Sequence, residues 1–154
     1  MAKLAAGDPA PDFALLDQDG HEVSLAGFAG RQVVVYFYPR DDTPGCTKEA
    51  CQFNDLLGEF AAGGVEVLGI SADGGESHRR FRQKYGLHIR LLSDPDHSVM
   101  ESYGAWGEKT LYGKKSLGVI RSTFLVEVPK SAEAGRAAAR VVNAWYNVRA
   151  DGHA

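Results

Sequence analysis

Residues 33–51 read VVVYFYPRDDTPGCTKEAC, and this stretch decides the fold of the 154-residue chain. Its first six residues are β-branched or aromatic and stop at Pro39, which is typical of a short buried strand. A second run of this kind covers residues 65–70. Between the two runs, apolar side chains recur at helical spacing over residues 46–62. A strand, a helix and a strand of this length predict a right-handed unit with parallel strands.

Two further helices are predicted after the second strand. One covers residues 76–85 and is capped by Gly86. The other opens at Asp94-Pro95-Asp96, because proline suits the first turn of a helix. Val99 and Tyr103 then form its buried face.

Strand patterns at both ends of the chain complete a central mixed β-sheet flanked by helices. Residues 122–126 predict a strand, and residues 140–148 predict its antiparallel neighbour, because Val142 begins an alternation of apolar residues. Residues 22–25 follow an Asp-Gly turn and predict an N-terminal β-hairpin. Residues 129–139 fit either a helical turn or a loop. We find no repeat and no linker, so we expect all 154 residues to form one α/β domain.

The composition excludes several classes of function. Apolar residues make up 44% of the chain and charged residues 24%, as in ordinary globular proteins. A net charge of -3 gives no electrostatic reason to expect nucleic acid or an anionic membrane as a partner. The sequence has neither an apolar run long enough to span a membrane nor a secretory signal. We therefore expect a cytoplasmic protein.

Cys46 and Cys51 are the only cysteines of the chain. In a reducing cytosol, two close cysteines are more often redox-active or metal-binding than structural. Cys46 follows the carboxyl end of a buried strand, where sites form in open α/β sheets. It also lies in the first turn of a predicted helix, where unpaired N–H groups and the helix dipole favour the nucleophilic thiolate.

Ionisation of Cys46 cannot by itself supply fast chemistry. A free thiol with a pKa near ~8.5 is about 3% ionised at pH 7, so ionisation offers roughly a 30-fold gain at most. A more acidic thiol is also a weaker nucleophile, which reduces this gain in rate roughly tenfold. A fast reaction at this thiol therefore needs a hydroxyl and a fixed cation as well. Thr43 is close enough in sequence to supply the hydroxyl, and the cation must come from elsewhere in the chain.

Pro39, Thr43 and Cys46 match the pattern P-x-x-x-T-x-x-C, and on this basis the chain resembles the peroxiredoxins. The longer string around them is similar to the bacterioferritin-comigratory-protein branch, also called the Q type. The resemblance extends from Gly7 to Val126, and three further stretches carry it in the order of that branch, namely residues 92–95, 103–109 and 121–124.

The resemblance implies a thioredoxin-like fold and reduction of hydroperoxides, without a cofactor or metal, by electrons from thioredoxin or a similar dithiol. Cys46 matches the peroxidatic cysteine, and Cys51 matches the resolving cysteine five positions on. Thr43 matches the hydroxyl that contacts the peroxide. Arg121 matches the active-site arginine, and Pro39 matches the proline that shields the pocket. We expect a monomer or a weakly associated dimer.

The spacing of Cys46 and Cys51 predicts a conformational change. On an intact helix, residues five apart are separated by ~7.5 Å in rise and lie on different faces. A disulfide needs Cα atoms closer than about 7 Å with converging Cβ atoms. The first helical turns must therefore unwind before the two cysteines can join.

The cysteine pair allows other interpretations. A disulfide reductase of the thioredoxin type has two residues between its cysteines, whereas this chain has four. A zinc site built from Cys46, Cys51 and two histidines has the wrong spacing. A non-enzymatic redox switch or chaperone module is the alternative, and repeated turnover of peroxide would distinguish an enzyme from it.

Several residues around the cysteine motif allow two interpretations each. Asp41 and Asp42 disfavour a nearby thiolate unless they face solvent or cap the helix. Glu49 either orients a residue of the site or is an exposed carboxylate of the first helical turn. Trp106 and Tyr112 either line the peroxide pocket or pack in the core.

The C-terminal part departs from the branch. Its members usually continue into a final amphipathic helix, whereas this chain stops at Gly152-His153-Ala154. Residues 129–139 also look longer than the usual tight turn. We expect both differences to affect the packing of one sheet face and the oligomeric state, and not the cysteine site.

Overall fold

A computed structural model describes residues 4–111, 113–129 and 139–146 of the chain. Its strands are β1 (Ala14–Asp17), β2 (Glu22–Ser24), β3 (Gln32–Phe37), β4 (Val65–Ser71), β5 (Arg90–Ser93), β6 (Trp106–Leu111), β7 (Lys114–Val119), β8 (Ser122–Glu127) and β9 (Arg140–Trp145). Its α-helices are α1 (Pro44–Asp55), α2 (Leu57–Ala62), α3 (Gly75–Tyr85) and α4 (Ser98–Ser102), and a 3₁₀ helix covers Leu25–Phe28. Among these helices none is long and apolar enough to cross a membrane.

Seven strands form one mixed sheet in the order β2-β1-β5-β4-β3-β8-β9. The three central strands β3, β4 and β5 run parallel, and the outer pairs are antiparallel. The predicted N-terminal hairpin is confirmed, and β1 joins it to the sheet by pairing with β5. Strands β6 and β7 form a separate hairpin that the sequence patterns did not predict.

Strand β3 lies inside the sheet, between β4 and β8, and is buried on both faces, which explains its unbroken apolar sequence. Val33, Val35 and Phe37 pack into the core on one face, together with α4. Val34 and Tyr36 pack into the core on the other face, with residues of α1 and α3. Strand β3 therefore ends between two packed layers, which fix the position at which the loop to α1 begins.

The predicted helix over residues 46–62 is two helices in the structure. Helix α1 begins at Pro44 and ends at Asp55, and α2 begins at Leu57. The side chain of Asn54 accepts a hydrogen bond from the backbone N–H of His88, which ties the end of α1 to the segment before β5. Apolar spacing continues through the break, so the pattern alone could not reveal it.

Helix α4 starts at Ser98, four residues later than predicted. The buried carboxylate of Asp94 accepts the backbone N–H groups of Val99 and Met100, at 3.3 Å and 2.9 Å. Asp94 thus binds the start of the helix from outside it, and the placement of Asp94-Pro95-Asp96 in the first turn was wrong. Val99 and Tyr103 are buried as predicted.

Strand β9 pairs antiparallel with β8 as predicted, but its alternation is interrupted. Val126 pairs with Val141 and Leu125 pairs with Asn143, so Val142 is the extra residue of a β-bulge. The bulge buries Val141 and leaves Val142 exposed, which reverses the expectation for Val142. Residue 148 and most of the segment 129–139 lie outside the described residues.

Candidate active site

The loop between β3 and α1 places Cys46 in the first turn of α1, as predicted. Thr43 is the N-cap residue, with an extended backbone, and its carbonyl accepts the N–H of Thr47 at 2.8 Å. Pro44 follows in the first helical position, where its missing N–H costs nothing. Cys46 is buried, with an exposed fraction of 1%.

Arg121 supplies a cation at Cys46. Its Nη2 atom donates a hydrogen bond to Cys46 Sγ at 3.3 Å, and its Nη1 atom donates to Glu49 Oε1 at 2.6 Å. Arg121 comes immediately before β8, whose first residue, Ser122, pairs with Phe37 at the end of β3. The register of this strand pair therefore brings the arginine to the loop that carries the cysteine.

The surroundings of Arg121 keep its guanidinium charged. Burial by itself lowers the pKa of Arg121, but Glu49 and Cys46 raise it, and the net pKa lies above its ordinary value. The hydrogen bond to Cys46 is thus charge-assisted, and such bonds stabilise a thiolate over a thiol.

Glu49 is part of this arrangement and not an exposed carboxylate. Its side chain is fully buried, and one carboxylate oxygen holds Nη1 of Arg121. Cys46 and Glu49 lie three residues apart on α1, so both face the same side of the helix. This spacing is a signal in the sequence that could have placed Glu49 in the site without a structure.

Thr43 and Pro39 flank the same loop. The Thr43 hydroxyl does not cap α1 but donates to the backbone carbonyl of Arg40 at 3.1 Å. Because its proton is used there, its oxygen can accept a hydrogen bond from a ligand above Cys46. Both Thr43 and Pro39 are half-buried.

Cys51 lies on the same unbroken helix as Cys46, and both cysteines are reduced. It is half-buried, and burial followed by the nearby charge of Asp55 raises the pKa of its thiol. The two thiols thus have different surroundings: Cys46 contacts the Arg121 guanidinium, whereas the pKa of Cys51 is raised.

One group of three side chains that could bind a metal ion occurs in the described ranges. Asp17, Asp19 and His21 cluster in the turn between β1 and β2. Asp17 already accepts the backbone N–H groups of Asp19 and His21, so hydrogen bonding within the turn accounts for the position of these side chains. Neither cysteine belongs to this group.

Trp106 is half-buried and its ring stacks on His97, with centroids 3.7 Å apart. It also packs against the core on the α4 side of the sheet. This placement agrees with the packing interpretation of Trp106. Tyr112 lies outside the described residues.

The profile of the AhpC/TSA family matches residues 6–130. The chain belongs to this family. A Mycobacterium tuberculosis protein classed as a peroxiredoxin is 52% identical over 151 residues, which cover 98% of this chain and 90% of the relative. Peroxiredoxin Bcp of Escherichia coli is 49% identical over 133 residues, covering 86% of this chain and 85% of the relative.

Solved structures agree with the fold of this peroxiredoxin. Peroxiredoxin Q of Xylella fastidiosa superimposes with a TM-score of 0.85 at 32% identity, over 99% of this chain and 92% of that chain. The bacterioferritin comigratory protein of Xanthomonas campestris, solved in a study of its alkyl peroxide reduction, gives 0.83 at 37% identity over 97% and 92% of the two chains. The thioredoxin-like fold and the peroxiredoxin resemblance are confirmed, and the protein is a thiol peroxidase.

Proposed function

We propose that this peroxiredoxin reduces hydrogen peroxide and organic hydroperoxides with Cys46, and that Cys51 resolves the oxidised form. The observation that carries the proposal is the Arg121 guanidinium, which joins Cys46 Sγ to the buried carboxylate of Glu49. Such a fixed cation is what a thiolate needs to displace an oxygen leaving group quickly.

In the first step, the Cys46 thiolate attacks the terminal oxygen of the hydroperoxide. The S–O bond forms while the O–O bond breaks, so the sulfur loses two electrons and becomes a sulfenic acid. The departing alkoxide or hydroxide takes a proton and leaves as alcohol or water. Arg121 stabilises the charge that develops on the leaving oxygen, Thr43 orients the peroxide, and Pro39 shields the pocket.

Replacing Thr43 by Val tests the role of the hydroxyl. We expect the second-order rate of Cys46 oxidation to fall about 10- to 100-fold, because one hydrogen bond to the reacting peroxide is lost. Stopped-flow fluorescence or competition with a known peroxidase measures this rate.

Thr47→Val is the matched control for Thr43→Val. Among the residues that the structure describes, the buried Thr47 hydroxyl has no hydrogen-bond partner, so its removal should leave the rate within about twofold. Equal rates in the two variants would remove Thr43 from the mechanism.

In the second step, the Cys51 thiolate attacks the sulfenic sulfur of Cys46, and the hydroxyl group leaves as water. The product is an intramolecular disulfide. Because the cysteines are five residues apart on an intact α1, the first turns of this helix unwind before the step. A dithiol such as thioredoxin then reduces the disulfide by thiol exchange and restores both thiols.

We expect wild-type protein treated with one equivalent of peroxide to lose the mass of two hydrogens. Cys51→Ser should instead gain one oxygen, because its sulfenic acid has no resolving thiol. Since the pKa of Cys51 is raised, its thiolate fraction increases with pH, and disulfide formation should accelerate from neutral to mildly alkaline pH. Intact mass spectrometry after rapid quenching measures both effects, and a wild-type protein that keeps one added oxygen would exclude Cys51.

Turnover distinguishes this enzyme from a redox switch. We place it in the cytoplasm as a single-domain monomer or weak dimer that receives electrons from thioredoxin. Peroxide consumption with thioredoxin, thioredoxin reductase and NADPH should continue through many cycles. A protein that consumes one equivalent and stops would be a sensor or chaperone module instead.

A further inference from the structure

The loop that leads to Cys46 is attached to α3 and its preceding loop by two successive acidic residues. Asp41 is buried and Asp42 is exposed, and their side chains contact different parts of α3. The backbone N–H of Asp41 also donates to Asp73 Oδ2 at 2.7 Å, in the loop before α3. The peroxidase step described above uses none of these contacts.

The inner anchor consists of Asp41 with Tyr38, Ser77 and His78. The carboxylate of Asp41 accepts the Tyr38 hydroxyl at 2.5 Å, the Ser77 hydroxyl at 2.8 Å and His78 Nδ1 at 2.7 Å. His78 is fully buried, and its Nε2 atom lies 3.0 Å from the backbone carbonyl of Leu92, which can only accept.

Both ring nitrogens of His78 therefore lie at hydrogen-bond distance from oxygen atoms, and the Asp41 side chain has three polar partners in all, namely Tyr38, Ser77 and His78. These contacts stabilise the Asp41 side chain locally. An acidic residue five positions before Cys46 is thus compatible with a thiolate at Cys46.

The outer anchor consists of Asp42 with Lys84 and Tyr85. Asp42 Oδ2 lies 2.9 Å from Lys84 Nζ, and Asp42 Oδ1 accepts the Tyr85 hydroxyl at 2.6 Å. These two contacts lower the pKa of the Asp42 carboxyl. The backbone of Asp42 has φ 58, in the left-handed region that non-glycine residues seldom occupy. The two contacts help to hold the residue in this conformation.

The anchors lie at the start of the segment that must rearrange. Disulfide formation has to unwind α1 between Cys46 and Cys51, and the chain enters this helix through Thr43, next to Asp42. When the first turn opens, the residues that precede it can follow Cys46 only if they leave α3. Contacts made by Asp41 and Asp42 therefore favour the folded arrangement in which Cys46 faces Arg121.

We propose that α3 controls how readily the start of α1 unwinds, through the inner and outer anchors. The proposal rests on the proposed function, in which Cys51 forms a disulfide with Cys46. Lys84 and Tyr85 are positioning residues in it, because they touch neither the peroxide nor the two sulfur atoms. Strong contacts in the two anchors prolong the lifetime of the sulfenic acid at Cys46, and weak contacts speed its conversion to the disulfide.

The double variant Lys84→Gln/Tyr85→Phe tests the outer anchor. It removes both contacts to Asp42 and keeps the aromatic ring that packs on Phe81. We expect disulfide formation to accelerate about two- to fivefold, the range that exposed charged contacts produce. Overoxidation of Cys46 to sulfinic acid at high peroxide should fall by a similar factor, while the rate of the first oxidation stays within about twofold. Quenched-flow mass spectrometry separates these three quantities.

Arg80→Gln is the matched control. It removes one positive charge from the same helix, but its only ion pair among the described residues is an exposed one with Glu76 at 4.0 Å. We expect wild-type rates from it, and also from Lys84→Arg with Tyr85 intact, which keeps a cation at Asp42. A general loss of stability would shift the melting temperature without changing the ratio of disulfide to sulfinic acid.

Asp41→Asn tests the inner anchor with little change of shape. An asparagine NH₂ group in place of Oδ2 can donate to His78 Nδ1 and to the Ser77 hydroxyl, which then accepts, while the amide oxygen accepts from Tyr38. The contacts are thus kept in weaker form, without the charge of a carboxylate. Disulfide formation should accelerate in this variant too. Equal rates in wild type, Asp41→Asn and Lys84→Gln/Tyr85→Phe would overturn the anchor proposal alone. Absence of a disulfide in the wild type would overturn the role of Cys51 as well.

Discussion

Replacing Cys46 by Ser is expected to abolish peroxide reduction, with a loss in kcat/KM of more than about 10⁴-fold, as for removal of the nucleophile in other enzymes. A serine hydroxyl is not ionised near neutral pH, and the Arg121 guanidinium cannot turn it into a comparable nucleophile. The coupled thioredoxin assay and direct peroxide consumption both measure the loss.

Two controls make the Cys46→Ser result specific. Serine differs from cysteine by one atom and can still accept the hydrogen bond from Arg121, so the melting temperature should change little. Cys51→Ser should retain the first oxidation at close to the wild-type rate while losing the disulfide. Sustained turnover by Cys46→Ser would show that the nucleophile lies elsewhere.

Replacing Arg121 by Gln is expected to lower kcat/KM about 10²- to 10³-fold, the usual cost of removing a donor that stabilises a developing negative charge. Glutamine keeps a hydrogen-bond donor but loses the charge that favours the thiolate and the leaving oxygen. Steady-state kinetics at saturating thioredoxin, with the peroxide varied, measures the effect.

Replacing Arg121 also affects stability, because it leaves the buried carboxylate of Glu49 without its cation. Removing the cation next to Glu49 also destabilises the fold, by about 3–5 kcal/mol for a broken buried pair. The double variant Arg121→Gln/Glu49→Gln removes both charges, so it should recover stability but not activity. Arg121→Lys should also be impaired, because a single ammonium cannot bind both Cys46 and Glu49 as the planar guanidinium does. If the double variant recovered activity together with stability, Arg121 would be a structural residue only.

Sequence patterns predict those elements of this protein that are determined by neighbouring residues in the chain. The apolar run of β3 and the first turn of α1 follow from residues 33–51, and Thr43 and Cys46 are placed with them. Arg121 is 75 positions from Cys46, and only the family resemblance could connect the two. Their contact depends on the pairing of β3 with β8, which neither segment encodes alone.

The features that the sequence did not predict depend on side chains meeting from distant segments. Asp94 moves the start of α4, and the bulge at Val142 changes the facing of β9. The sequence allows solvent exposure or helix capping for Asp41 but does not identify its partner, because His78 is 37 positions away on α3. An acidic residue near a thiolate is unfavourable in isolation, and only the fold brings together the side chains that stabilise it.

Because of the register between β3 and β8, the geometry of the active site does not depend on how many residues lie between Cys46 and Arg121 in the sequence. Phe37 faces Ser122 across a backbone ladder, so Cys46 and Arg121 are joined through two strands and not through the residues that intervene in sequence. Insertions or deletions in the turn of the β6–β7 hairpin can therefore change that distance in sequence without displacing the guanidinium. A slip of two residues within the ladder would move it by roughly 6.6 Å along the strand. The surface formed by the segment between Cys46 and Arg121 can thus change while the contact between nucleophile and cation is kept.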